Sequence, residues 1–254
     1  MTVIIAFVSF SLGASSVYLV NDILDLPHDR AHPEKRHRPF AAGVVPLKHG
    51  LGLFAVMAGL SLGTALMLPW LFLLALGSYF ALSMAYATLL KRKLMIDVVA
   101  LAALYGIRVL AGGAATGIGL SDWLVGFCFF MFLSLALVKR GTELIAQPAA
   151  ETGALKGRGY RPADLPIVHA LTVASGLVAI LVLALYINSP EVRFLYSRPE
   201  LLWGMCLMLV YWLGRAFLLT GRGEMRQDPV IFAVTDRNSL ITGAVVAAIF
   251  LLAV

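Results

Sequence analysis

NDILDLPHDRAHPEKRHRPFAAG, the stretch at residues 21–43, brings together four acids, four Lys or Arg residues and three histidines. We call this stretch the polar segment. It follows directly on an apolar run at residues 3–20, and most of the remaining chain is apolar as well. A dense polar cluster at the end of a membrane helix is the place where we expect the chemistry of this protein.

The composition indicates a membrane protein. Of the 254 residues, 60% are hydrophobic and 13% are charged, whereas soluble domains carry about 25% charged residues. The net charge of +6 could suit a nucleic-acid partner, but in so apolar a chain the positive-inside effect explains it better. The two cysteines lie inside apolar runs without metal-ligand spacing, so they predict neither a metal site nor a disulfide framework.

Eight apolar segments are long enough to cross a membrane as helices. A spanning helix needs about 20 mainly apolar residues, and no part of the chain has the pattern of a strand or of a soluble domain. We therefore predict an all-α, polytopic membrane helix bundle that forms a single domain over residues 1–254. The segments lie at residues 2–24, 46–67, 69–90, 95–117, 121–140, 165–187, 200–220 and 238–254.

The basic residues indicate the orientation in the membrane. Nearly all of the 20 Lys and Arg residues lie in the connections after the first, third, fifth and seventh segments. The positive-inside rule places such connections in the cytoplasm. We therefore expect an integral protein of a prokaryotic cytoplasmic membrane, with its active site facing the cytoplasm.

Oxygen-bearing side chains recur along one face at the start of the polar segment. Asn21, Asp25 and Asp29 are spaced four residues apart, and Asp22 lies beside them, so a continuing helix would present all of them in one stripe. Clustered carboxylates repel each other unless a cation separates them, and hard oxygen ligands suit Mg²⁺. Pro27 disfavours helix at this point, so the stripe is expected to bend or end there.

Basic residues follow these acids at once, and the candidate phosphate-binding residues among them are Lys35, Arg36 and Arg38. Arginine forks match phosphate oxygens, and lysine supplies a point charge. Acids that hold a metal, followed by bases that hold phosphates, are what a diphosphate substrate requires. The alternative is an ordinary basic membrane connection flanked by acids at a helix end.

Arg108 lies inside the fourth apolar segment, about 16 Å deeper than Asp97 if the segment is a helix. A charge at that depth costs about 2.5–3.5 kcal/mol on insertion scales, so we expect it to face a polar cavity or a partner. It is therefore a candidate substrate-binding residue. The alternative is that Arg108 only ties helices together.

Two further clusters lie at the cytoplasmic ends of predicted helices. Tyr86 and Lys91 end the third segment, where a basic anchor for membrane topology is the alternative to a role in substrate binding. Lys139, Arg140 and Glu143 end the fifth segment. Lys139 and Glu143 have the spacing of a helical ion pair, so a plain salt bridge is again an alternative to function.

These residues stand in stretches that resemble a known family. NDILDLPHDR at Asn21–Arg30 matches the first aspartate-rich motif, N-D-x-x-D-x-x-x-D, of the UbiA superfamily of intramembrane prenyltransferases. Four further stretches resemble the branch that contains decaprenyl-phosphate phosphoribosyltransferase. They are AHPEKRHRPFAAGVVP at Ala31–Pro46, YATLLKRKLMIDVVALAALYGIRVLAGGAATG at Tyr86–Gly117, KRGTEL at Lys139–Leu144 and RGEMRQDPVIFAVTDR at Arg222–Arg237.

The resemblance implies an Mg²⁺-dependent transfer of a 5-phosphoribosyl group from 5-phosphoribosyl 1-diphosphate to a polyprenyl phosphate in the membrane. Superfamily members typically carry a second acidic motif, D-x-x-x-D, where this chain has Lys139-Arg140-x-x-Glu143. That departure favours a donor diphosphate plus a second phosphate over an allylic diphosphate. The product would serve glycolipid or cell-wall biosynthesis, nucleic acid would not be a partner, and a homo-oligomer is compatible with the resemblance.

The resemblance also assigns roles to the candidate residues. The metal ligands are Asn21, Asp22, Asp25 and Asp29; the catalytic residues are Asp25, Asp29, Lys139 and Glu143; the substrate-binding residues are Tyr86, Lys35, Arg36, Arg38, Lys91, Arg108 and Arg140.

Three other interpretations stay open. An aromatic prenyltransferase of the same superfamily would use an allylic diphosphate to make a quinone or haem precursor. A transporter or non-catalytic membrane protein would spread polar residues along a path through both faces. The family implies nine helices against the eight counted here, so we expect that a first helix is missing from this chain. A partner chain carrying that helix would then complete a half-site.

Overall fold

The computed structural model describes residues 1–31, 35–147, 158–225 and 228–254, without the side chains of residues 28, 31, 35, 191 and 193. Within these ranges the chain is helical and contains no strand, as the all-α prediction requires. The helices are α1 (Thr2–Leu24), α2 (Leu26–Ala31), α3 (Leu47–Ala65), α4 (Trp70–Thr88), α5 (Ile96–Thr116), α6 (Asp122–Ile145), α7 (Leu165–Ile187), α8 (Pro190–Leu195), α9 (Trp203–Gly221), α10 (Pro229–Thr235) and α11 (Arg237–Ala253). Short 3₁₀ turns lie at Lys35–His37, Leu90–Arg92, Pro162–Asp164 and Pro199–Leu202.

Each of the eight apolar segments coincides with a long helix, and their predicted ends agree with the structure to within a few residues. Among the described residues, six helices are long and apolar enough to span a membrane: α1, α4, α5, α6, α7 and α9. A seventh span arises if α10 and α11, which meet at an angle of 76°, are counted as one broken element. The helix α3 is outside this set, and it carries Lys48 and His49 in its first turn.

The described chain divides into two compact units. The first unit contains residues 1–31, 35–120 and the short stretch 158–159, and the second contains residues 121–147, 160–225 and 228–254. The first unit holds the polar segment, Tyr86, Lys91 and Arg108, and the second holds Lys139, Arg140 and Glu143, so the two units are described separately below.

In the first unit, α1 is fastened to α3 by reciprocal hydrogen bonds. The Ser9 hydroxyl donates to the Ser61 carbonyl oxygen at 2.8 Å, and the Ser61 hydroxyl donates to the Ser9 carbonyl oxygen at 2.7 Å. Both serines are fully buried. Gly13 lies beside them, and a glycine suits this place because a Cβ would come within 2.8 Å of the Ser61 hydroxyl. These contacts set the position of α1, whose last turn begins the polar segment.

The interruption expected near Pro27 appears as a break between α1 and α2 at Asp25. The backbone nevertheless keeps its helical path, since the Asp25 N–H donates to the Asn21 carbonyl oxygen at 2.8 Å. The Asp29 N–H donates in the same way to the Asp25 carbonyl oxygen at 2.9 Å. The predicted spacing of Asn21, Asp25 and Asp29 along one helical path is thereby confirmed.

In the second unit, α6 packs along α7, and α9 packs on α7 and α11. The buried Ser134 hydroxyl of α6 donates to the Thr172 carbonyl oxygen of α7 at 2.9 Å. The bend between α10 and α11 is held by Asp236, which accepts from the Ser239 backbone N–H at 2.9 Å and caps α11. This packing places the end of α6 and the start of α10 close enough to form an ion pair.

Candidate functional site

In the first unit, the polar segment is joined to the end of α4 by an ion pair between Lys91 and Asp25. Lys91 lies in the turn that follows α4 and is 7% exposed, while the Asp25 carboxylate keeps about a quarter of its surface. A lysine so deeply buried needs a counter-charge, because removing an ammonium from water without one is costly. The sequence singled out both residues, and the structure pairs them.

Arg38 draws two further acids of the polar segment together. Its Nη1 atom donates to Asp22 Oδ1 and to Asp29 Oδ2, both at 2.9 Å. Asp29 is buried, whereas the Arg38 side chain keeps 40% of its surface exposed. Two of the four predicted metal ligands are therefore in contact with a predicted phosphate-binding arginine, and Arg38 still reaches solvent.

The oxygen atoms of this segment are of the chemical type that Mg²⁺ binds. Within the ranges that the structure describes, no group of three or more His, Cys, Asp and Glu side chains is arranged to hold a metal. However, two carboxylate oxygens converge on the single cationic atom Arg38 Nη1, so these side chains can face one positive charge together. Carboxylate and amide oxygens are hard ligands of the kind that Mg²⁺ prefers. The residues that would hold it are Asn21, Asp22, Asp25 and Asp29.

Arg108 of α5 meets aromatic partners inside the first unit. Its Nη2 donates to the Tyr79 hydroxyl at 3.2 Å, and its guanidinium carbon lies 5.5 Å from the Tyr79 ring centre and 5.0 Å from that of Tyr105. Arg108 also lines a cavity of about 550 Å³ formed by residues of α1, α4 and α5. The expected partner for this intramembrane charge is present, and the cavity beside it is mainly apolar.

In the second unit, Lys139 and Arg140 at the end of α6 each contact an acid. Lys139 Nζ donates to Asp228 Oδ2 at 2.6 Å, and Arg140 pairs with Glu143 one turn further along α6. Arg140 is fully buried and lies over the ring of the buried Tyr160, with 5.4 Å between the guanidinium carbon and the ring centre. The cluster is therefore a cationic pair held in place by two acids and an aromatic ring.

The acid that reaches Lys139 is also the cap of the short helix α10, which has an aspartate at each end. Asp228 caps the start of α10 by accepting from the Val230 N–H at 2.9 Å. At the other end of α10, Asp236 accepts two hydrogen bonds from Arg215, at 2.7 and 3.0 Å. Burial by itself would raise the pKa of Asp236, but the bonds from Arg215 and Ser239 together outweigh it and lower that pKa.

Tyr86, at the end of α4, bonds to an arginine from a distant part of the chain. Arg158 Nη1 donates to the Tyr86 hydroxyl at 3.0 Å, and the guanidinium carbon lies 5.7 Å from the ring centre. Of the other expected residues, Arg36 is exposed and contacts His37, Asn21 is half-exposed, and the Lys35 side chain is outside what the structure describes.

Two residues of these clusters were not singled out from the sequence: Asp228, which pairs with Lys139, and Arg158, which bonds to Tyr86. The Asp-Pro pair at Asp228–Pro229 is a recognisable start signal for a helix, and it could have drawn attention to Asp228 as a cap. No local signal marks Arg158, which stands among other basic residues 72 positions from Tyr86. Only the folded chain shows these two pairings.

The sequence profile of the UbiA prenyltransferase family matches residues 1–235. The chain is 38% identical over 249 residues to uncharacterized protein y4nM of Sinorhizobium fredii, covering 97% of this chain and 48% of that protein. It is 34% identical over 250 residues to nodulation protein NoeC of Azorhizobium caulinodans, covering 98% and 81%. It is 43% identical over 149 residues to decaprenyl-phosphate phosphoribosyltransferase of Mycobacterium tuberculosis, covering 59% and 49%.

The chain therefore spans about half the length of the Sinorhizobium relative, and its match to the Mycobacterium enzyme covers about half of that enzyme. Among solved structures, a UbiA homolog from Archaeoglobus fulgidus bound to DMAPP and Mg²⁺ has a similar fold, with a TM-score of 0.74. That likeness covers 99% of this chain and 87% of the other at 15% sequence identity, so it bears on the fold alone.

Proposed function

Because the chain belongs to the UbiA prenyltransferase family, we propose that it transfers a 5-phosphoribosyl group from 5-phosphoribosyl 1-diphosphate to a polyprenyl phosphate. The products are polyprenylphosphoryl-5-phosphoribose and diphosphate. The proposal places the protein in a cytoplasmic membrane with the polar segment on the cytoplasmic side, in keeping with the distribution of its basic residues.

The observation that carries the proposal is the basic character of the cluster at the end of α6. By the family resemblance, a second acidic motif is expected there, and this chain instead has Lys139 and the fully buried Arg140. One acidic segment suits a single metal-bound diphosphate, and Lys139, whose side chain stays 38% exposed while it pairs with Asp228, suits an additional phosphate. The partial similarity to a named decaprenyl-phosphate phosphoribosyltransferase supports the same donor and acceptor.

In the proposed reaction, an anionic oxygen of the polyprenyl phosphate attacks C1 of the ribose. The bond between C1 and the diphosphate oxygen breaks, and diphosphate leaves with the bonding electrons. Since the acceptor oxygen is already ionised near neutral pH, no strong general base is required. The task of the protein is to orient the two phosphate-bearing substrates and to stabilise the negative charge that develops on the leaving group.

Named residues take these tasks. Arg38, which is partly exposed while it holds Asp22 and Asp29, would bind a donor phosphate together with Lys35 and Arg36. Mg²⁺ bound by Asn21, Asp22, Asp25 and Asp29 would supply positive charge to the donor diphosphate.

The remaining clusters complete the proposed binding of both substrates. Lys91 and Tyr86 would orient the donor from the end of α4. Lys139 and Arg140 would bind the 5-phosphate or the acceptor phosphate, with Glu143 orienting Arg140. Arg108 would face the lipid part of the substrate from the cavity that it lines.

The test uses the full chain in lipid nanodiscs with labelled 5-phosphoribosyl 1-diphosphate, a polyprenyl phosphate and Mg²⁺, and the lipid products are separated by thin-layer chromatography. We expect a phosphoribosyl lipid whose formation stops when EDTA removes the metal. The rate of transfer should fall at least about 100-fold in Asp25→Ala, because the metal that stabilises the charge of the transition state would lose a ligand. Glu200→Gln, an exposed acid in the turn before α9, is the control and should match the wild type.

An allylic diphosphate such as DMAPP, offered with an aromatic acceptor in place of the two proposed substrates, tests the rival aromatic prenyl transfer. Prenylation of that acceptor together with no phosphoribosyl lipid would overturn the proposed donor. Full Mg²⁺-dependent transfer by Asp25→Ala would remove Asp25 from the metal-binding role.

A further inference from the structure

The backbone at residues 158–159 lies against the turn that follows α4. A Cβ built at Gly159 would come within 2.9 Å of the Arg92 carbonyl oxygen and 3.0 Å of the Leu94 backbone nitrogen. Contacts this short with backbone atoms exclude a side chain at position 159. Glycine therefore allows the close approach, and it determines where the preceding Arg158 is held.

Arg158 reaches the end of α4, where it bonds to Tyr86. In the part of the chain that the structure describes, its contacts are the Tyr86 hydroxyl at 3.0 Å and the Tyr86 ring, and none is a carboxylate. A guanidinium carries five N–H donors in a fixed fork. The hydrogen bond to the Tyr86 hydroxyl orients this fork, and the remaining N–H donors of the guanidinium can bind an anion.

The surroundings of Arg158 are also basic. The turn after α4 carries Lys91, Arg92 and Lys93, of which Lys91 is buried against Asp25 and the other two are exposed. Since Asp25 already neutralises Lys91, the approach of Arg158 adds positive charge to a positive surface. An arginine fork in such a place is suited to a phosphate group, which it can bind through two parallel hydrogen bonds.

We propose that Arg158, held by Tyr86, forms a binding subsite for a phosphate group of the substrate. The proposal rests on the proposed function only in assigning that phosphate to the donor or to the acceptor. The shared chemistry is a phosphate or diphosphate anion, and the two sources are the diphosphate of the donor and the monophosphate of the lipid acceptor. The alternative is that Arg158 only docks its connection onto α4.

The experiment measures binding to the full chain in nanodiscs of neutral lipid. Inorganic pyrophosphate with Mg²⁺ is the probe for the donor, and a short-chain polyprenyl monophosphate is the probe for the acceptor. Arg158→Gln should weaken one of the two by about tenfold or more, because a hydrogen bond to a charged group is lost. The probe that is affected identifies the source of the phosphate.

Three variants accompany Arg158→Gln. Arg161→Gln removes an exposed arginine three residues further along the same connection, and it should bind both probes as the wild type does. Arg158→Lys keeps the charge without the fork and should bind the affected probe with intermediate strength. Gly159→Ala keeps Arg158 but displaces it, and should weaken the same probe.

Wild-type binding of both probes by a folded Arg158→Gln protein would overturn the proposal, as would a wild-type protein that binds neither probe. If Arg158→Gln does not fold, Tyr86→Phe decides, since it removes the hydroxyl that orients the fork. An unchanged affinity for both probes in Tyr86→Phe would then refute the subsite. Failure of the proposed function looks different: the wild type would bind pyrophosphate through Arg158 and still make no phosphoribosyl lipid.

Discussion

Replacing Asp228 with asparagine keeps the shape of the side chain but removes the charge that faces Lys139. The Lys139 Nζ and Asp228 Oδ2 atoms lie 2.6 Å apart, and the two side chains are 38% and 23% exposed. Solvent therefore screens the pair, and its contribution to the free energy of unfolding is expected to stay below about 1 kcal/mol. We expect the thermal midpoint of Asp228→Asn to fall by less than about 4 °C.

The effect on activity should be much larger than the effect on stability. If Asp228 holds the Lys139 ammonium against a substrate phosphate, loss of that restraint misplaces the charge, and a displacement near 1 Å can cost about 100-fold in rate. We expect kcat/KM for 5-phosphoribosyl 1-diphosphate to fall about 10- to 100-fold in Asp228→Asn. The kcat/KM of Lys139→Gln should fall at least as far. The kcat/KM of the double variant should fall no further than that of Lys139→Gln, because both changes remove the same interaction.

Initial rates in nanodiscs at saturating polyprenyl phosphate, with the donor concentration varied, measure this double-mutant cycle. Asp122→Asn is the control, because Asp122 is an exposed acid in the first turn of α6, at the opposite end from Lys139. Multiplicative losses in the double variant would show that the two residues act independently and would refute the positioning role. A thermal midpoint lowered by much more than 4 °C would identify the pair as structural.

Two further predictions concern stability. The pKa of Asp236 is lowered in the folded chain, so its ionised form stabilises the bend between α10 and α11. This stabilisation is fully present above the pKa of about 4 that the carboxyl has in the unfolded chain, and it is lost as the pH falls through the lower pKa of the folded chain. The thermal midpoint of Asp236→Asn should therefore lie below that of the wild type at pH 6, and the difference should shrink below pH 4; a constant difference would contradict the assignment. Gly13→Ala should destabilise the first unit by about 1–3 kcal/mol, because its Cβ would come within 2.8 Å of the Ser61 hydroxyl. Gly63→Ala on the exposed face of α3, where a Cβ meets nothing within 4 Å, is the matched control in thermal or denaturant unfolding, and an equal loss in both variants would count against the close contact at Gly13.

The helical architecture could be predicted because its signals are local. A run of about 20 apolar residues has to satisfy its backbone hydrogen bonds within itself in a membrane, so length and composition suffice to locate a helix. The break at Asp25 was also predictable, since Pro27 lacks the N–H that a continuous helix would use. The angle of 76° between α10 and α11 was not predicted, and the Arg215 side chain that bonds to Asp236 at this bend comes from α9, a separate helix.

The candidate site was predictable residue by residue but not as a set of contacts. The sequence shows Asp25, Lys91 and Lys139 as charges at the ends of apolar helices, and this position made them candidates for a functional role. Which charge meets which depends on helix packing. Glu143, at the correct spacing for a helical pair with Lys139, was found against Arg140, and Lys139 was found against Asp228.

By itself, the sequence determined that this protein is an all-helical membrane protein, and that the acids and bases of residues 21–38 stand at the end of its first apolar helix. Both follow from hydrophobic length and from local spacing, which need no tertiary structure. Only the folded chain decided that Arg38 draws Asp22 and Asp29 together, that Lys91 meets Asp25, and that Arg158 reaches Tyr86. The reason is physical: these contacts join residues 9 to 72 positions apart, and their partners are chosen by how the helices and turns pack rather than by the sequence around each residue.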